Sequence, residues 1–93
     1  MAIKVLSPIE TPYGISLPNL IITIKDGYRI IPKITQQGKL YEVSTYMYYY
    51  ADRNKKPLFD EPLKINVTQD QLGNIYPLLY AHIKVRYPNS IEY

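Results

Sequence analysis

Few residues in this chain could do acid–base or nucleophilic work. His82 is the only histidine, there is no cysteine, and Asp60-Glu61 is the one adjacent pair of carboxylates. His82 stands beside Leu79 and Ile83 in a helical pattern, the place of a boundary residue at the flank of an apolar stripe. In an extended chain Asp60 and Glu61 point to opposite sides, so they are badly placed to share a proton. No serine stands in a nucleophile-elbow sequence. Gly14, Gly27, Gly38 and Gly73 are isolated, without a phosphate-binding pattern, and Asp26-Gly27 reads as a turn, not a calcium loop. Asn66-Val67-Thr68 matches a glycosylation sequon, a short motif with little weight in a chain without secretory signals. Without cysteine, zinc sites that need it are excluded, and the composition fits a reducing interior or a particle assembled inside a cell. The expectation is a non-enzyme with no catalytic residue, cofactor, metal or small-molecule substrate.

What the chain has instead is tyrosine. There are eleven, and five stand within Tyr41 to Tyr50, YEVSTYMYYY. Tyrosine buries a ring and keeps a hydroxyl that wants a partner, so it suits surfaces dry on one side and wet on the other. It is also enriched at protein interfaces. Strand alternation sends Tyr41, Val43, Thr45, Met47 and Tyr49 to one face, the expected core face. Tyr46, Tyr48 and Tyr50 fall on the other. With Ile91 and Tyr93 of the tail they are the candidate partner-binding residues. The net charge is +3, with basic residues scattered and dense only at Arg53-Asn54-Lys55-Lys56, which reads as a solvated loop tip. Nucleic acid is therefore not the expected partner. The alternative function is a small nucleic-acid- or peptide-binding module, with the three tyrosines as a stacking platform near Arg53 and Lys55.

These residues need elements to hold them. A chain of 93 residues is one domain. Residues 1–18, with Ile3 to Leu6 β-prone and Pro8, Pro12 and Pro18 following, read as an N-terminal arm or edge strand. Residues 19–93 read as a single β-rich domain with a C-terminal helix. Strands are expected at 20–25, 28–35, 40–50 and 63–67, with turns at Asp26-Gly27 and Gln36 to Lys39 and a polar loop at 51–62. Pro32 argues that its strand lies at an edge or a bulge. Leu72, Ile75, Tyr76, Leu79, Tyr80, Ile83 and Tyr87 make an apolar stripe at helical spacing. Thr68 to Gln71 has capping-box spacing, and Pro77 is tolerated only in a first turn, so the helix should run from about 74 to 87. Residues 88–93 form a tail able to dock through Ile91 and Tyr93. The fold class is α+β: an antiparallel β-sheet or small β-sandwich with one C-terminal helix packed on it. No apolar run approaches the ~20 residues that cross a bilayer, and the N-terminus lacks a signal-peptide pattern.

The order of features resembles small virion proteins of tailed bacteriophages. The likeness rests on Ile9-Glu10-Thr11-Pro12-Tyr13-Gly14-Ile15, followed by the apolar strand Leu20 to Ile24. It continues through Val43-Ser44-Thr45-Tyr46, then Ala51 and the polar loop to Leu58, and ends in Tyr80-Ala81-His82-Ile83-Lys84. It spans most of the chain, and the chain departs from it at Pro77 and in its tyrosine density. The resemblance implies a non-enzymatic structural part of a phage tail, neck or collar, or capsid surface. It implies a protein located in the virion after assembly in the host cytoplasm. Its partners would be other copies of itself and other virion proteins, with no membrane.

Overall fold

The computed structural model describes residues 2–25 and 27–93. Along the chain come β1 (Ile3–Val5), β2 (Ile9–Glu10), β3 (Ser16–Leu17), β4 (Ile21–Ile24), β5 (Arg29–Thr35), β6 (Gly38–Tyr50) and β7 (Phe59–Val67). A 3₁₀ turn (Gln69–Asn74), helix α1 (Ile75–Arg86) and β8 (Ser90–Glu92) follow. The fold is α+β, with one six-stranded antiparallel sheet and the helix against one of its faces. Among the described residues no second sheet closes it into a sandwich, since β2 and β3 form only a small separate hairpin.

β6 is the spine. At about 3.4 Å per residue its thirteen residues span roughly 44 Å, which matches the 42 Å long axis of the molecule. β7 pairs along one flank, from Tyr41↔Val67 to Tyr49↔Phe59. Two strands share the other flank: β4 lies opposite Met47 to Tyr50, and β5 opposite Gly38 to Ser44. Beyond β4 come β1 and then β8. β5 and β7 each lack a neighbour on the outer side, and each carries a proline, Pro32 and Pro62. Proline cannot donate to a ladder, so edge strands are where it belongs.

The core lies between the sheet and α1. Ile3, Val5, Ile22, Val43, Met47, Tyr49, Leu63 and Val67 face Ile75, Leu79, Tyr80 and Ile83. Burial of each aliphatic side chain contributes about 1.5–3 kcal/mol. The alternation expected for β6 holds, with Tyr41, Val43, Thr45, Met47 and Tyr49 all buried. The helix starts where Pro77 allows: the proline falls in the first turn, where its missing N–H costs no intrahelical bond. Ahead of it, the Thr68 N–H donates to Gln71 Oε1 at 2.9 Å and opens the 3₁₀ turn. Lys84 and Arg86 occupy the last turn, where cations complement the helix dipole.

Three expectations are corrected. First, Ile3–Val5 is neither an arm nor an edge, for β1 lies between β4 and β8 with Ala2, Ile3 and Val5 buried. The prolines that suggested an arm stand after the strand and constrain only their own positions. Second, Asp26-Gly27 does not reverse the chain. Asp26 lies outside the described residues, but β4 and β5 run in one direction along β6, with Ile24 opposite Met47 and Arg29 opposite Ser44. Between these pairings Thr45 and Tyr46 are all that β6 offers opposite the connection, a bulge in which Gly27 takes positive φ. Side chains from the core side satisfy it: the Ile24 N–H donates to the Tyr80 hydroxyl at 3.1 Å, and the Thr45 hydroxyl to the Gly27 carbonyl at 2.5 Å. Third, Phe59 to Pro62 belong to β7 rather than to the polar loop, because Phe59 stacks on Tyr49 at 4.3 Å between ring centroids.

Candidate interaction surfaces

The face of the sheet turned away from α1 collects most of the residues singled out from sequence. Cross-strand partners share a face, so Asp60 lies beside Tyr48, Pro62 beside Tyr46, Thr23 beside Tyr48 and Ile21 beside Tyr50. Lys4 and Ile91 oppose each other on the same face. Tyr93 joins them, with its N–H donating to the Ala2 carbonyl at 2.9 Å and its ring under the Lys4 ammonium. The strand tyrosines and the tail, distant in sequence, are thus brought to one surface.

The five candidates are not equivalent there. Tyr46 is 53% exposed, and Ile91 and Tyr93 are about half exposed. Tyr48 is partly covered. Tyr50 is corrected: at 4% exposure it belongs to a small second core with Ala2 and Ile21, against which Tyr48 packs. Alternation placed Tyr50 on the right face. The Lys25 ammonium lies over its ring, and the loop residue Arg53 lies over the Tyr93 ring, so this end of the face has its own cover. The Tyr50 hydroxyl has no hydrogen-bond partner among the described residues.

Next to it in sequence, Tyr49 has the opposite environment. Its hydroxyl donates to Glu61 Oε2 at 3.0 Å and shares a 2.8 Å hydrogen bond with the Tyr87 hydroxyl. Arg86 holds the same Glu61 oxygen at 3.1 Å. Burial, and then the bond with Tyr87, raise the Tyr49 pKa far above the ordinary tyrosine range. Burial likewise raises that of Tyr80. These are structural hydroxyls. Asp60 and Glu61 do point to opposite faces, with only Glu61 in this network. His82 is exposed on the helix. Among the described residues no group of three His, Cys, Asp or Glu side chains is arranged to hold a metal.

The second surface was not singled out from sequence. Every residue of β5 is exposed, including Ile30, Ile31 and Ile34, the last at 91%. Ile31 lies on the outer face beside Glu42, while Ile30 and Ile34 lie on the helix side, beside Val43 and Lys39. At 1.5 Å per residue α1 is only about 18 Å long and cannot cover a strand more than twice that length. β5 therefore stands at the margin of the core with apolar residues on both sides, while Tyr41 and Val43 of the β6 segment beside it remain buried. One signal was available: RIIPKI is apolar on both faces, yet its proline demands an edge.

Comparison with protein-family models, with curated proteins and with solved structures finds no match. Any functional reading rests on these surfaces.

Proposed function

We propose that this chain is a non-enzymatic structural component of a larger particle, joined to neighbours through protein–protein contacts made by the projecting β5–β6 hairpin. The observation that supports this reading is β5 itself, seven residues long, exposed throughout, and carrying three isoleucines. Ile30, Pro32 and Ile34 make an apolar row on one side of the strand and Ile31 stands on the other, and a monomer seldom leaves such a row in water without purpose. Contact through side chains suits this strand better than addition of another strand. Pro32 cannot exchange two hydrogen bonds with Tyr41, so its nitrogen faces the free edge, alternating there with the amides of Ile30 and Ile34. The missing donor in the middle of that edge blunts ladder extension, a device edge strands use against indiscriminate pairing.

A structural part of a phage tail, neck or capsid surface, as the resemblance to small virion proteins implies, would use such a hairpin to grip its own copies and other virion proteins. Sedimentation velocity tests the self-contact. Wild type is expected to form species larger than the 10.9 kDa chain as concentration rises. The Ile31→Gln, Ile34→Gln double variant is expected to stay monomeric with an unchanged circular dichroism spectrum. Wild type that remains a monomer at every concentration, or a variant that assembles as wild type does, would contradict the reading.

A further inference from the structure

The fold does to the basic residues what it does to the tyrosines. Scattered in sequence, Lys4, Lys25, Arg29, Lys33 and Lys64 converge on the outer sheet face, and Arg53 reaches it from the loop after β6. Among the described strand residues, the carboxylates on this face are Glu42, already paired with Lys33 at 3.3 Å, and Asp60. Among the described residues, Lys25, Arg29 and Lys64 form no ion pair, and Arg53 is held only by a 3.4 Å hydrogen bond to the Tyr93 backbone oxygen and by the Tyr93 ring. Positive charge without carboxylate partners on one face is the electrostatic footprint of a polyanion site.

The shape of that face adds to its charge. The bulge between β4 and β5 opens a cleft of about 450 Å³, lined by Arg29, Ser44, Tyr46 and Tyr48 together with Gly27 and Tyr28 of the bulge. A second cleft of about 180 Å³ is lined by Thr23, Lys25, Tyr50 and Arg53. Thr23 and Tyr48, one from each cleft, are cross-strand partners, so the two clefts adjoin. Together they make a trough with guanidinium groups at its two ends, an ammonium and hydroxyls between, and the Tyr46 ring open at its side. Tyr50, which lines the second cleft, keeps its buried hydroxyl unpartnered among the described residues, a state that is costly until a hydrogen-bond partner is supplied.

We propose that this trough binds single-stranded nucleic acid, with phosphates held by Lys25, Arg29 and Arg53 and a base stacked on Tyr46. A positive groove beside exposed aromatic rings is how proteins hold single strands without reading sequence. An acidic protein segment would use the cations but would leave the Tyr46 face without a flat partner. The inference does not depend on the hairpin assembly, which uses the isoleucines of β5, although Arg29 and Ser44 at the base of the hairpin also line the trough.

Fluorescence anisotropy of a labelled oligo-dT of about 15 nucleotides, long enough to cover one small domain, tests it over a series of salt concentrations. Binding to the full chain is expected to weaken steeply with salt. The Lys25→Gln, Arg29→Gln double variant should lose affinity and lower the slope of log K against log salt by about 1.4, at roughly 0.7 per phosphate contact. Tyr46→Ala should weaken binding roughly 5- to 150-fold, the equivalent of one base stack of ~1–3 kcal/mol. Lys84→Gln, on the helix side, should bind as wild type does. Four results would overturn the proposal: no salt-dependent binding, full affinity in Tyr46→Ala, equal losses in Lys84→Gln, or displacement of the oligonucleotide by polyglutamate at matched charge. Loss of binding with assembly intact would remove this proposal and leave the hairpin reading standing.

Discussion

β4 and β5 lie on the same flank of the same strand, and their sequences are about equally apolar: IITI in one, RIIPKIT in the other. Yet Ile21, Ile22 and Ile24 are buried, and every residue of β5 is exposed. The difference does not lie in the strands. β4 sits over α1 and between two neighbours, whereas β5 extends past the end of the helix and has a neighbour on one side only. Burial is decided by the covering elements: on the helix side cover reaches Val43 of β6 but not its partner Ile30 at the edge, and on the outer face Ala2 and Tyr50 cover Ile21 while Ile31 has no such cover. A strand can therefore carry core-like residues that a single chain has no means to cover, and those residues are left for another molecule.

The comparison breaks first if the wrong half carries the stability. Leu79→Ala, Ile83→Ala and Ile3→Ala each empty a fully buried site and should cost about 2–5 kcal/mol in chemical denaturation. Ile34→Ala should stay within about 0.5 kcal/mol of wild type, as surface changes usually do. The Ile3 result also replaces the expectation for an arm: loss of β1 should unfold the domain rather than merely weaken assembly. Equal effects at Leu79 and Ile34 would mean that the hairpin is covered within the monomer.

The two faces of β6 can be compared at adjacent residues. Tyr49→Phe removes a hydroxyl bonded to a carboxylate and should cost about 1.5–3 kcal/mol. Tyr50→Phe removes a buried hydroxyl without a partner and should be neutral or stabilising. The pH dependence follows from the raised Tyr49 pKa. Its contribution is fully present below the ordinary tyrosine value of about 10 and is lost as pH rises from there through the folded-state value. Alkaline melts should show this loss in wild type and less of it in Tyr49→Phe. A Tyr50→Phe variant destabilised as much as Tyr49→Phe would show that the outer-face hydroxyl is satisfied in solution.

Much of this was legible in the residues, and the failures share a cause. Period-two alternation in β6 named its core face, helical spacing and Pro77 located α1 within a residue or so, and Pro32 marked an edge. Those signals are local. β1 was misread because three residues carry no periodicity of their own, and their place depends on Ile22 and Glu92, far along the chain. The bulge was misread because glycine at positive φ serves a bulge as readily as a hairpin turn. Tyr50 was assigned the right face but not its cover, because Lys25 and Ala2, strands away in the sheet, provide it. Convergence of the cations was invisible for the same reason: Lys4, Lys25, Arg29 and Lys64 come to share one face only through register.

Amide hydrogen exchange across residues 29–44, followed by mass spectrometry, tests the central claim most directly. In dilute protein the amides of β5 should exchange far faster than those of β4 and α1, because Ile30 and Ile34 turn theirs to water and every residue of the strand is exposed. In the assembled form the same segment should become protected while β4 and α1 change little. Protection of the hairpin already at the level of β4 in the dilute chain, or no gain of protection on assembly, would contradict the account of β5 as a surface completed by a neighbour.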